Sequence, residues 1–161
     1  MNSKKICIIG GTGFVGSALI NRLSREKHEI KVFSRHPERK RHLKLLPGVS
    51  LSSIDYEEPK SLERQFDGMD VIINLVGILN PKSKDTFNKV HVELIRRIVD
   101  AASAVKVKRL LHMSALNAGN QASRYLVTKG QGQQLAHQCP GVDVTIFCPS
   151  IIYGPNDHFF N

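Results

Sequence analysis

The stretch Ile6–Leu23 reads "ICIIGGTGFVGSALINRL". A short apolar run meets three glycines spaced by threes, Gly10, Gly13 and Gly16, and a helical pattern follows at once. Each glycine has its own steric task in such a strand-to-helix turn. Gly10 lets the chain bend sharply out of the strand. Gly13 removes a side chain where backbone must approach a pyrophosphate, and Gly16 lets the helix pack closely on the sheet. The helix start aims free N–H groups and a partial positive charge at the same point, and Thr12 offers a hydroxyl beside it. The turn reads as a dinucleotide cradle because it follows a strand and opens a helix.

Further alternating units follow. Strand-like runs at Lys5–Ile9, Ile30–Phe33, Val49–Ser53, Val71–Leu75, Arg109–Met113 and Val142–Phe147 are separated by helical patterns at Val15–Arg25, Glu38–Leu46, Pro59–Phe66, Thr86–Ala104 and Ala122–Gln138. Strict alternation calls for a parallel sheet with helices on both faces, an α/β three-layer domain. Right-handed crossovers give a doubly wound order, 3-2-1-4-5-6 for the dinucleotide-binding type. The 161 residues suffice for one such domain.

Composition narrows the function classes. Hydrophobic residues make up 41% and charged residues 23%, the balance of a globular protein. No apolar run approaches the ~20 residues of a membrane span, and from the start "MNSKK", which runs straight into a strand, no targeting segment is expected. Three cysteines, Cys7, Cys139 and Cys148, without a CxxC pair fit a reducing, cytoplasmic setting. Cys7 and Cys148 fall in strand patterns and read as small core residues. The seven histidines are scattered without metal-ligand spacing, so no metal site is expected. The net charge of +9 raises the question of an acidic partner. Much of the excess lies in "SRHPERKRHLK", Ser34–Lys44. Without interleaved aromatics this is poor evidence for nucleic acid. The chain ends in "PSIIYGPNDHFFN", where the adjacent Phe159 and Phe160 are expected to pack on something. The expectation is one dinucleotide-binding domain over residues 1–161, followed in the whole protein by a smaller C-terminal domain, with a protein partner or a second copy as further possibilities.

"GGTGFVG" has the spacing GxxGxxG and resembles the short-chain dehydrogenase/reductase superfamily in its extended or atypical branch. Later stations carry the resemblance across nearly the whole chain: "IDYEE" with Asp55, "VIINLVG" ending in Asn74, Leu75, Val76 and Gly77, "LHMSA" with Ser114, "YLVTK" with Tyr125 and Lys129, and "CPSIIYGP". Within the superfamily, "GGTGFVG", "LLHMSAL" and "SRYLVTKGQGQQ" look closest to the atypical group that includes the nucleotide-binding accessory subunit of respiratory complex I and its bacterial, epimerase-like relatives. The resemblance implies a Rossmann fold. It implies cofactor contacts from Gly10, Thr12, Gly13, Phe14, Val15, Gly16, Asp55 (near the adenine amine), Tyr56, Leu75, Val76, Gly77, Met113, Lys129, Pro149, Ile151 and Ile152. Full-length members of the group carry a smaller C-terminal domain.

The second strand's end bears on the choice of cofactor. An NAD site wants a carboxylate there, and an NADP site wants cations and hydroxyls. Ser34 and Arg35 occupy the position, with Arg39 and Lys40 close behind, and an arginine fork suits phosphate. NADP(H) is therefore the expected cofactor, with NAD(H) the alternative.

Tyr125 and Lys129 are four apart on one helix face. A tyrosine in such a site exchanges a proton as hydride moves to or from the nicotinamide. Its ordinary pKa of ~10 is lowered by a nearby ammonium. The resemblance adds that Lys129 holds the nicotinamide ribose and that Ser114 bonds the substrate oxygen. Two positions depart from the family pattern: His91 stands where an Asn is common, and Cys148 where an Arg precedes the loop proline. His91 is open to three readings: a water bridge, a base, or a packed or surface polar residue. Two functions remain, an oxidoreductase or sugar-nucleotide epimerase-like enzyme acting on a small-molecule substrate, and a non-catalytic nucleotide-holding or redox-sensing subunit of a complex I-like assembly.

Overall fold

The computed structural model describes residues 3–58, 60–81 and 86–154. Six strands form one sheet: β1 (Lys5–Ile9), β2 (Glu29–Ser34), β3 (Val49–Ser53), β4 (Val71–Asn74), β5 (Arg109–Met113) and β6 (Asp143–Phe147). All pairings are parallel and the order is β3-β2-β1-β4-β5-β6, the doubly wound order expected from the alternation.

The period-2 pleat deals the strand residues to two cores. Cys7 and Ile9 of β1, Phe33 of β2, Ile72 of β4 and Leu110 of β5 enter one. It is completed by Leu62 and Phe66 of helix α2 (Ser61–Phe66) and by Ile95, Ile98 and Ala102 of α4 (Leu94–Ala104). Ile6 and Ile8, Ile30 and Val32, and Ile73 enter the other, against Ile20 of α1 (Phe14–Leu23) and Leu43. Each fully buried aliphatic chain contributes about 1.5–3 kcal/mol relative to exposure, so the alternation along β1 and β2 stabilises both layers at once.

Some expectations are corrected. The basic stretch read as a helix over 38–46 is a 3-10 run, Pro37–Leu45, broken at Lys40 (φ −131°, ψ 37°). Only its Leu43 is buried, which leaves no apolar face to support an α-helix. The helix over 86–104 is interrupted: α3 (Thr86–Asn88) leads into a π-helical turn, Lys89–Glu93, and then into α4. Cys148 lies one residue beyond β6 and is exposed, whereas Cys7 and Cys139 are buried. The helix start at Pro59 and the paired Phe159 and Phe160 lie outside the described residues.

Candidate functional site

The C-terminal ends of β1, β4 and β5 open on a cleft, where ligands bind in open α/β sheets. The glycine turn forms its waist. Gly10 has φ +79°, the left-handed region, and a Cβ there would stand 2.9 Å from the Val76 amide nitrogen. A Cβ on Gly16 would meet the Gly11 backbone at 2.5–2.6 Å. Gly16 thus seats α1 directly on the turn, a closer partner than the sheet itself. Gly11, which the spacing argument passed over, is hemmed in by Val32, Ile20 and Ile8. Gly13 is different. A Cβ there would find only the Gly10 carbonyl oxygen, at 3.3 Å, so the protein leaves its outer side bare.

One half of the cleft, about 310 Å³, is lined by Thr12, Phe33, Ser34, Arg35, Arg39, Lys40 and Tyr56 together with the glycine turn. Thr12 Oγ1 donates to Ser34 Oγ (3.2 Å), and Ser34 Oγ accepts from the His36 amide (3.1 Å). These hydroxyls brace the turn against the end of β2, leaving Arg35, Arg39 and Lys40 as the cationic lining. Asp55 is not among the lining residues. Its carboxylate accepts from the Glu57 amide at 2.8 Å. Tyr56 is in place, its phenol pushed up by burial.

The other half, about 640 Å³, shares Gly10, Gly13, Leu75, Val76 and Gly77 with the first and adds Phe14, Val15, Gly16, Met113, Ser114, Tyr125, Lys129, Pro149, Ile151 and Ile152. Its loop after β4 is held by Asn74, whose Oδ1 accepts from the Val76 amide (3.2 Å) and whose Nδ2 meets His112 Nδ1 (3.0 Å). His112 is buried, and burial with the nearby Lys129 and His91 lowers its pKa to about 3.

Tyr125 and Lys129 share this half, on α5 (Arg124–His137), which Ser123 caps by accepting from the Leu126 amide. The Lys129 ammonium is buried and donates to the Met113 carbonyl at 2.7 Å, and desolvation lowers its pKa to about 8. Tyr125 is half-buried, edge-on to the rings of His91 (5.5 Å) and Phe87 (6.0 Å). Burial raises its pKa. The net direction is thus opposite to the lowering expected from the lysine, whose ammonium bonds the Met113 carbonyl at the end of β5. The Ser114 hydroxyl donates to Gln133 Oε1 at 2.6 Å, and the exposed Cys148 thiol to the same oxygen at 3.5 Å. Gln133 escaped notice in the sequence, although it continues the Tyr125–Lys129 face by one more turn. His91 is buried and bonded on both ring nitrogens, the packed-polar reading.

The described residues contain no cluster able to hold a metal ion and no helix long and apolar enough to cross a membrane. The 40 kDa subunit of mitochondrial NADH-ubiquinone oxidoreductase from Neurospora crassa is 30% identical over 96% of this chain and 42% of its own length. Ceramide reductase of Caulobacter vibrioides is 27% identical over 94% of the chain and 47% of its own. The chain thus spans less than half the length of these relatives. Among solved structures, UDP-glucuronic acid 4-epimerase from Bacillus cereus in complex with NAD superposes with a TM-score of 0.82, covering 95% of this chain and 58% of that one at 20% identity, a likeness of fold. A family model described as NAD(P)H-binding matches residues 10–156, and the chain accordingly belongs to the NAD(P)H-binding family.

Proposed function

We propose that the chain is the NADP(H)-binding domain of an atypical short-chain oxidoreductase or epimerase-like enzyme, the dinucleotide lying across the cleft with its adenosine end at Ser34–Arg35 and its nicotinamide at Tyr125–Lys129. The observation that carries this reading is Gly13. Its bare outer side lies at the junction of a cationic half and a half holding a tyrosine–lysine pair. Arg35, with Arg39 and Lys40, would grip the 2′-phosphate, and the N-terminus of α1 the pyrophosphate.

When bound, the nicotinamide supplies hydride transfer. This chain's own part is proton delivery and orientation. Tyr125, whose pKa burial raises, would hold its proton at neutral pH, the form able to donate to a substrate carbonyl oxygen. Lys129, which donates to Met113 O, would bond the ribose. Ser114 reaches a substrate oxygen only by releasing Gln133. That engagement favours a second reading, a nucleotide-holding subunit with little or no turnover, akin to the complex I relative. In either reading a C-terminal domain beyond this chain would supply the substrate wall, and free cysteines fit the cytoplasm.

Titration with NADPH and NADH, followed by reduced-nicotinamide fluorescence, tests the assignment. NADPH is expected to bind more tightly. Arg35→Ala should weaken it by about 1.5–3 kcal/mol, the scale of a charge-assisted hydrogen bond, and leave NADH nearly unchanged. Equal affinities would overturn the cofactor choice, and binding of neither the whole reading.

A further inference from the structure

His91 sits in the middle of the π-helical turn Lys89–Glu93 and is 2% exposed. Such turns are rare and concentrate at functional sites. Here the turn presses against α5, and Gly132 makes the room: a Cβ on Gly132 would overlap the His91 carbonyl oxygen.

The imidazole joins three elements. The Ile78 amide, in the loop after β4, donates to His91 Nε2 at 3.2 Å. A nitrogen that accepts carries no hydrogen, so the neutral ring holds its proton on Nδ1. Nδ1 lies 3.0 Å from Thr128 Oγ1 and donates to it. The Thr128 hydroxyl proton then goes to the Arg124 carbonyl at 2.9 Å, with the Tyr125 carbonyl at 3.1 Å. The chain of donors runs one way, from loop to ring to helix. The ring faces pack too, stacked on Phe87 (centroids 5.4 Å, 25°) and edge-on to Tyr125. A Cβ built on Gly77 would stand 4.0 Å from His91 Nε2 and 3.9 Å from Lys129 Nζ, so both groups close on the same point of the loop.

We propose that His91 is a positioning residue of the nicotinamide half: as the Nδ1–H tautomer it clamps the Gly77–Ile78 backbone to Thr128 and sets the register of Tyr125 and Lys129 against that loop. Both ring nitrogens are spent in doing so, which removes His91 from the role of base. The inference rests on the dinucleotide reading above. It makes a claim that a general packing role does not, because Tyr125 and Lys129, whose register the clamp sets, line only the nicotinamide half, although Gly77 borders both. Ser34, Arg35 and Arg39 line the other.

Two measurements on the full chain test it. The first is the imidazole 15N spectrum, expected to show a protonated Nδ1 and a bare Nε2 for His91. The opposite tautomer would overturn the clamp. The second compares affinity for NADPH or NADH, whichever the parent binds more tightly, with affinity for the matching fragment, 2′,5′-ADP or ADP. His91→Phe keeps the ring stack and loses both bonds. It should bind the dinucleotide about tenfold more weakly and the fragment unchanged. Thr128→Val, which preserves volume, should show the same selective loss should His91→Phe not fold. His91→Gln, whose side-chain oxygen can accept from Ile78, should recover part of the affinity. Folded variants that bind the dinucleotide like the parent, or that lose both ligands in parallel, would refute the proposal. A parent that binds no dinucleotide refutes the functional reading itself.

Discussion

Gly13→Ala and Gly16→Ala, three residues apart in one motif, are expected to fail in opposite ways. At Gly13 the backbone is extended (φ −75°, ψ −179°) and caps α1, so alanine is allowed. Its Cβ meets a single oxygen at 3.3 Å, a contact relieved by a shift of a few tenths of an ångström. Losing glycine as the N-cap costs a few tenths of a kcal/mol or more, and the reduced freedom of the unfolded chain returns about 0.4–1 kcal/mol. The net change in stability should stay within about 1 kcal/mol. Dinucleotide affinity should fall at least about tenfold, roughly 1.4 kcal/mol, because the methyl group occupies the side the fold leaves bare. At Gly16 the new Cβ would lie 2.5 Å from Gly11 Cα and 2.6 Å from its carbonyl carbon and oxygen. Backbone cannot step aside by changing rotamer. The gain in helix propensity, about 1 kcal/mol, should be exceeded by the overpacking cost. Net destabilisation of about 2 kcal/mol or more is expected. Urea unfolding followed by far-ultraviolet circular dichroism reads stability, since the chain has no tryptophan, and cofactor fluorescence reads binding. If Gly13→Ala retains parental affinity, or loses as much stability as Gly16→Ala, the division of labour within the motif is wrong.

Other consequences follow from the same geometry. Tyr125→Phe should leave dinucleotide affinity nearly unchanged, whereas Lys129→Ala should weaken it by about 1–3 kcal/mol through loss of a charged hydrogen bond. Isothermal calorimetry distinguishes the two, and an equal loss in both would contradict their separate roles. Gly132→Ala drives a methyl group into the His91 carbonyl, so the urea midpoint should drop by the equivalent of about 2 kcal/mol or more. Burial pushes His91 down to about 4 and His112 to about 3. In the unfolded chain each takes up a proton near its ordinary pKa of ~6.5. Between that pH and the folded values the unfolded state therefore binds more protons, and stability falls as pH falls from about 6.5 toward 4. Unfolding midpoints at pH 7 and pH 4.5 measure this. His91→Phe, if folded, should show a shallower decline, and an unchanged slope would argue that the ring does not titrate as described.

Strand count, parallel pairing and sheet order were legible along the chain because they follow from short-range regularities. Apolar runs of strand length alternate with helical patterns, and the crossover rule leaves few topologies. The pleat of Ile6, Cys7, Ile8 and Ile9 already assigns two faces. The glycine spacing marked the turn for a similar reason: a Cβ would crowd the Val76 amide at Gly10, where φ is also positive, and the Gly11 backbone at Gly16.

What the tertiary structure alone decided concerns groups brought together from distant elements. The sequence pairs Tyr125 with Lys129 by helical spacing, but the hydrogen-bond partner of Lys129 is the Met113 carbonyl on β5, and burial raises the tyrosine rather than lowering it. Ser114 meets Gln133, and Ser34 meets Thr12. The basic run after β2 carries helix-forming residues, yet with one buried side chain it settles into a broken 3-10 path. His91 shows the limit most clearly. A histidine in a helical pattern is ambiguous by itself, since its role depends on what faces each ring nitrogen. Ile78 and Thr128, 13 and 37 residues away, are supplied by chain folding, through a π turn and a glycine whose meeting no local pattern encodes.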